Sequence, residues 1–149
     1  MSIKIVVADN HPIVRQGLAL LLDGELDVEV VGEAGDCSAA IKLIKKLSPH
    51  IVIMDICLPD TNGVEATRRI VSQFPQVKII VVSMHSDSLF VLNMLNAGAS
   101  GYLLKDCALE ELIRAIRTVM TKKIFLSSSL SNMLVKDLAS RIQVNNNHK

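Results

Sequence analysis

Ile51-Val52-Ile53-Met54-Asp55-Ile56-Cys57-Leu58-Pro59-Asp60 opens with four apolar residues that run straight into an aspartate, followed by a short proline-bearing loop. An unbroken apolar run of that length is how a strand reads when helices cover both faces of a parallel sheet. The pattern recurs along the chain. Ile3–Ala8 ends on Asp9, Val77–Val82 on the hydroxyl of Ser83, and Tyr102–Leu104 on Lys105. In open α/β sheets, ligands sit in the crevice outside the carboxyl ends of the strands. Two carboxylates, one ammonium and one hydroxyl are therefore expected at one edge, a set suited to a divalent metal and a phosphoryl group.

Helical patterns fill the gaps between these runs. Ile13–Leu22, Ala39–Leu47 and Gly63–Phe74 each carry an apolar stripe, and Leu109, Leu112, Ile113, Ile116 and Met120 form another. Leu89–Leu95 is apolar nearly all round, so it either buries deeply or offers a patch to a partner. A fifth strand, Val28–Glu33, interleaves Glu29 and Glu33 and belongs at or near a sheet edge. Pro12 fits the first turn of the first helix, with Asn10 as a possible N-cap. Ser48-Pro49 and Phe74-Pro75 close the second and third helices, and Ala97-Gly98-Ala99 ends the fourth. Strict alternation predicts a doubly wound α/β fold over residues 1–121: a (βα)5 five-stranded parallel sheet with helices on both faces. Residues 122–149 read as a linker or C-terminal helical tail, with Leu130, Met133, Leu134, Leu138 and Ile142 on one stripe. The polar end, Asn145–Lys149, is expected to fray.

The 149 residues are 50% hydrophobic and 21% charged, the composition of a globular chain. A formal net charge of +1 gives no bulk electrostatic argument for nucleic acid or an anionic membrane. No apolar stretch reaches the ~20 residues of a membrane span. Three cysteines, an odd number without metal-ligand spacing, fit a reduced, cytoplasmic protein.

Each strand-end residue also has an ordinary explanation. Asp55 can cap its own loop, or attack phosphorus if a metal and a cation neutralise the developing charge. Asp9 can belong to a strand–helix turn, or lie beside Asp55. Two carboxylates repel, so the second arrangement calls for Mg²⁺ or Lys105 between them. Lys105 is either a solvated lysine or a point charge on a phosphoryl oxygen. Ser83 satisfies local backbone or donates to that group. Tyr102, the only tyrosine, is expected to be half buried with its hydroxyl near water. His11 can serve as a base or ligand, but with no His/Cys cluster beside it the preferred reading is the start of the first helix, and two nearby acids argue against redox reactivity at Cys57.

Together the residues reach a family. Ala8-Asp9-Asn10-His11-Pro12, Met54–Gly63, Val82-Ser83 and Ala97-Gly98-Ala99-Ser100-Gly101-Tyr102-Leu103-Leu104-Lys105 closely resemble the receiver domain of bacterial two-component response regulators. The His-Pro pair and Gly-Tyr-Leu-Leu-Lys-Asp look like the NarL/LuxR subfamily. The resemblance covers about residues 1–121 and implies a flavodoxin-like receiver fold. It implies that Asp55 accepts a phosphoryl group from a sensor histidine kinase. Mg²⁺ would be held by Asp9, Asn10, Asp55 and the backbone carbonyl of Cys57. Lys105 would hold a phosphoryl oxygen, and Ser83 and Tyr102 would form the switch. The fourth helix, fifth strand and fifth helix would signal outward, often as a homodimer. DNA would be reached only through a C-terminal domain absent from this chain, and no membrane is involved.

One departure matters. The family usually has a second carboxylate where Asn10 stands, and an amide carries no net charge. Its loss weakens attraction to a divalent ion by roughly a few kcal/mol at protein-like dielectric. Weaker Mg²⁺ affinity and slower phosphorylation are expected. An alternative follows from the same residue: a receiver-like module that dimerises without phosphorylation. An aspartate-nucleophile phosphatase is a third reading. Such enzymes usually place a second Asp two residues after the nucleophile; Cys57 stands there, leaving no evident general acid. The expectation is a regulator rather than an enzyme.

Overall fold

The computed structural model describes residues 2–147 and contains the five expected strands, in parallel, with a sixth beside them. In chain order the elements are β1 (Ile3–Ala8), α1 (Pro12–Asp23), β2 (Val28–Ala34), α2 (Cys37–Leu47), β3 (Ile51–Asp55), α3 (Gly63–Gln73), β4 (Lys78–Ser83), α4 (Ser88–Asn96), β5 (Gly101–Leu104), α5 (Leu109–Met120), β6 (Phe125–Leu126) and α6 (Ser128–Asn147). Strand order is β2-β1-β3-β4-β5-β6. The glutamate-bearing β2 lies at an edge. The order reverses at β1, so the topological switch point falls between β1 and β3, where ligands bind in such sheets.

Side chains alternate across each strand, and the two faces build separate cores. Val6, Ala8, Val52, Met54, Ile79 and Val81 point to one face. There they meet Ala40 and Ile44 of α2, Ala66 and Ile70 of α3, and Val91 and Met94 of α4. Ile5, Val7, Ile51, Ile53 and Ile80 point to the other, under Leu22 of α1 and Leu112, Ala115, Ile116 and Val119 of α5. All five residues of β3 are buried, as its unbroken apolar run requires.

Helix starts differ from the sequence reading for identifiable reasons. Asn10 is not the N-cap of α1. His11 takes that position with extended backbone and no side-chain cap, and Pro12 begins the helix. Helix α2 begins two residues earlier than its apolar stripe, at Cys37. Asp36 accepts from the Ala39 amide at 2.7 Å, and the distant Asp60 carboxylate accepts from Cys37 N and Ser38 N at 2.8 and 2.9 Å. Ser48 closes α2 in the left-handed region (φ 48°) just before Pro49, and Gly98 (φ 114°) ends α4.

The segment after Thr121 packs against the sheet and α4. Phe125 and Leu126 pair with Gly101 and Tyr102 as β6. Leu130 and Leu134 of α6 are buried against the α4 side of the sheet, with Met133 packed beside them, and Ser88 of α4 donates to Asp137 of α6. This explains the all-round apolar character of α4. Val91 and Met94 face the sheet, while Phe90, Leu92 and Leu95 are half-buried and only Leu89 among 89–95's apolar residues is exposed. The outer part of the α6 stripe, Leu138 and Ile142, is exposed. The helix continues to Asn147, so 145–147 are helical rather than frayed; residues 148–149 lie outside the described residues.

Candidate functional site

Three strands deliver their last polar side chain to the same edge with the same local geometry. Asp9 Oδ1 accepts from His11 N at 2.8 Å, Asp55 Oδ1 from Cys57 N at 3.2 Å, and Ser83 Oγ from His85 N at 2.9 Å. Each is a side chain bonded to backbone two residues on, the turn that Asp and Ser favour as a chain leaves a strand. The loop-capping explanation is therefore true of all three. It also fixes each oxygen, so local turn chemistry and convergence on the edge are one arrangement.

Asp9 and Asp55 are 5% and 3% exposed. Two carboxylates this deeply buried need compensating charge, and Lys105 supplies it. Its Nζ lies 2.9 Å from Asp55 Oδ2 and 3.9 Å from Asp9 Oδ2. The Lys105 amide donates to Ser83 O at 2.8 Å, which ties the lysine to the end of β4. Burial works against the ammonium charge, yet the hydrogen bond and field of Asp55, with Asp9 behind it, outweigh burial and hold the Lys105 pKa above the ordinary lysine value. Arg15 of α1 donates to the Asp9 carbonyl at 2.9 Å and anchors the turn from below.

Tyr102 is fully buried, not half-buried near water. Its hydroxyl donates to His85 O at 2.7 Å instead of to solvent. Burial pushes its phenol pKa up against the opposing effect of Ser83, so it stays a donor. The residue that joins Ser83 to Tyr102 is His85, which one contacts through its amide and the other through its carbonyl. The His85 ring stacks on Phe90 of α4 with centroids 5.2 Å apart. Nothing in the sequence singled out His85, because both bonds use its backbone.

The donor set fits a divalent cation. Asp9, His11 and Asp55 each offer a ligand atom, all within 4.8 Å of one another. Asn10 and Cys57 are exposed at the same two turns. The sequence offers His11 as a ligand only weakly, because no His/Cys cluster accompanies it along the chain; the fold supplies its neighbours, Asp9 and Asp55, from two strand ends. Beside the edge, between α1 and α5, a groove of about 420 Å³ runs along Val14, Leu18, Leu21, Leu109 and Leu112 and opens at Asp9, Asp55 and Lys105.

Comparison with known proteins adds an independent line. Residues 5–117 match the family described as the response regulator receiver domain. The chain is 38% identical over 136 residues to the transcriptional regulatory protein DegU of Brevibacillus brevis, covering 91% of this chain and 58% of that protein. The fold is similar to a LuxR-family two-component response regulator from Aurantimonas sp. SI85-9A1 (TM-score 0.88, 34% identity, 93% of this chain and 99% of that one). It is also similar to the isolated receiver domain of RcsB from Salmonella enterica serovar Typhimurium with phosphomimetic BeF3⁻ (TM-score 0.83, 31% identity, 90% and 99%). RcsB dimers have also been solved bound to DNA. The chain spans under two thirds of the length of the curated relatives it matches.

Proposed function

Because this chain belongs to the response regulator receiver-domain family, we propose that Asp55 is its phospho-acceptor and that the domain serves a transcriptional regulator. The observation that carries the reading is the buried Asp55 carboxylate with Lys105 Nζ at 2.9 Å and Asp9 beside it. An Asp55 oxygen attacks the phosphorus of a phosphohistidine on a sensor kinase or of a small acyl phosphate. The bond from phosphorus to the donor breaks, its electron pair leaves with the donor, and an aspartyl phosphate remains. Lys105 then has phosphoryl oxygens to pair with in place of Asp55 Oδ2. A divalent cation, Mg²⁺ in the reading from sequence, would be held by Asp9, Asp55, the Asn10 amide and the Cys57 carbonyl. When bound it supplies positive charge against the phosphoryl oxygens.

The switch follows from His85. Ser83 Oγ already accepts from the His85 amide, and turning the hydroxyl toward a phosphoryl oxygen costs that bond. The His85 carbonyl holds Tyr102, and its ring lies on Phe90, so the disturbance passes to β5 and α4. Packing shifts of this kind are the usual readout of a local charge change. The surface built by α4, β5 and α5, together with the β6 and α6 that lie against it, would carry the signal, with a homodimer as its form. Residues 1–121 form the receiver unit in this reading, and 122–149 lead toward a DNA-binding region in a longer protein of the cytoplasm. No helix among the described residues is long and apolar enough to cross a membrane. The paired Asp55 and Lys105 favour this function over a module that never becomes phosphorylated.

The test is intact-mass analysis after incubation with a small acyl phosphate and Mg²⁺. A phosphate adduct on the wild type, absent from Asp55→Ala, is the expected result. No adduct at saturating cation overturns the assignment, and sustained phosphate release would point to an enzyme instead.

A further inference from the structure

We propose that His11 is a metal ligand of this edge, and that the site takes a divalent first-row transition cation of the Co²⁺/Zn²⁺ class rather than depending on Mg²⁺. The inference rests on reading Asp9 and Asp55 as the cation site. What is new is the third side chain and the ion it selects.

The geometry comes first. Donor atoms around one ion at about 2.1 Å lie roughly 3 to 4.2 Å apart, from adjacent to opposite positions. The ligand atoms of Asp9, His11 and Asp55 already sit within 4.8 Å of one another, so side-chain movements on the order of an ångström bring them onto one ion. His11 Nδ1 is 3.3 Å from Asp9 Oδ1, and its ring is 62% exposed while the two carboxylates beneath it are buried. An exposed ring can turn over the site, and a neutral imidazole presents a nitrogen lone pair to it. The backbone makes this orientation systematic: His11 N donates to Asp9 Oδ1, so the turn that fixes the carboxylate also fixes the base of the imidazole.

Charge and softness then decide the ion. Asp9 and Asp55 bring two negative charges, and Lys105 returns one positive charge at 2.9 Å from Asp55. Asn10 adds none. Mg²⁺ is small, hard and reluctant to shed water, and is held by carboxylate charge. A net charge near −1 holds it weakly. Imidazole nitrogen, in contrast, suits Zn²⁺ and its neighbours in the first row. With Asn10 adding no charge, what remains is a mixed carboxylate–imidazole set suited to another class of ion.

The test uses the full chain and the metals alone. Almost any nitrogen–oxygen site prefers Co²⁺ to Mg²⁺, so the preference itself decides nothing. The dependence on His11 does. Wild type, His11→Ala, Asn10→Asp and Asp55→Asn are titrated with Co²⁺, followed by visible absorption, and with Mg²⁺, followed by calorimetry. We expect His11→Ala to weaken Co²⁺ binding by roughly tenfold or more and to shift its absorption toward that of an all-oxygen site. The same variant should change Mg²⁺ affinity by less than about twofold, while Asn10→Asp tightens Mg²⁺. Equal weakening of both metals by His11→Ala would make the residue merely structural and overturn the proposal. So would an unchanged Co²⁺ spectrum in His11→Ala, or Co²⁺ binding that survives Asp55→Asn. A phosphate adduct formed with Mg²⁺ alongside His11-independent Co²⁺ binding would sink this inference and leave the phospho-acceptor reading standing. His11-dependent Co²⁺ binding with no adduct under either metal would do the reverse.

Discussion

Replacing Lys105 with methionine keeps the length of the side chain and removes its charge, leaving Asp9 and Asp55 facing each other unpaired. Their ligand oxygens lie within 4.8 Å, and two unit charges at that distance repel by roughly 3.5 kcal/mol at an effective dielectric of about 20. We therefore expect Lys105→Met to lose about 3–4 kcal/mol, at the lower end of the roughly 3–5 kcal/mol seen when one partner of a buried pair is removed. Chelator-treated protein in urea is the assay. With a slope of about 1–3 kcal/mol/M, the midpoint should fall by roughly 1–2 M. Asp55→Asn in the same chain removes one of the two repelling charges and should recover most of the loss. The pH dependence has a definite sign. Lys105 has a raised pKa in the folded chain, so the advantage of wild type is complete below the unfolded lysine value of about 10.4. It is lost as pH rises through the higher folded value. A Lys105→Met midpoint within about 0.3 M of wild type would refute the reasoning, as would a double variant no more stable than Lys105→Met alone.

Three further outcomes can be checked more quickly. Leu134→Ala on α6 should cost about 2–3 kcal/mol in denaturant unfolding, whereas Leu138→Ala, exposed on the same helix, should cost under about 0.5. Gly63→Ala should destabilise by about 1–3 kcal/mol, because the added methyl would lie 2.5 Å from Ile56 Cγ2 and 2.8 Å from Ile56 Cβ. Asp60→Asn should lower the urea midpoint at neutral pH by weakening the bonds to Cys37 and Ser38. Those backbone bonds hold the Asp60 pKa below its ordinary 3.8, so the wild-type advantage is present above that value and disappears as pH falls through the lower folded one.

Much of the fold was legible because burial on both faces writes itself into the chain. The bounds of β1 were readable to the residue and those of β3 and β5 to within one, since each apolar run stops where the chain meets water or another charge. The edge placement of β2 was readable from Glu29 and Glu33. What could not be read depends on contacts distant in sequence. Two residues are too short for any periodicity, so β6 exists only because Gly101 and Tyr102 lie ready to pair with it. The early start of α2 needs Asp60, more than twenty residues away. At the site, the sequence announced the charged groups and concealed the connections. Asp9, Asp55 and Lys105 ended strands and invited a role, whereas His85 meets Ser83 and Tyr102 only through its amide and its carbonyl. Tyr102 was misjudged for a related reason. A tyrosine on a strand ordinarily keeps its hydroxyl wet, and a backbone carbonyl replaces the water here.

The sixth strand bears on how such a domain should be cut. Along one side of the sheet, β2 presents Glu29 and Glu33, charges that discourage a stray strand from joining. Along the other, β5 is short and almost wholly apolar, and Phe125 and Leu126 are what pair with its outer side. A fragment ending at Thr121, where the helix–strand alternation stops, would bare the backbone of Gly101 and Tyr102 together with the hydrophobic bed left by Leu130 and Leu134. Such a fragment would keep Asp9, Asp55, Ser83 and Lys105 at their edge and still be prone to self-association through its flank. Oligomers seen with that shorter piece would report an unpaired strand rather than signalling, so dimerisation is better measured on a chain that retains residues 122–142.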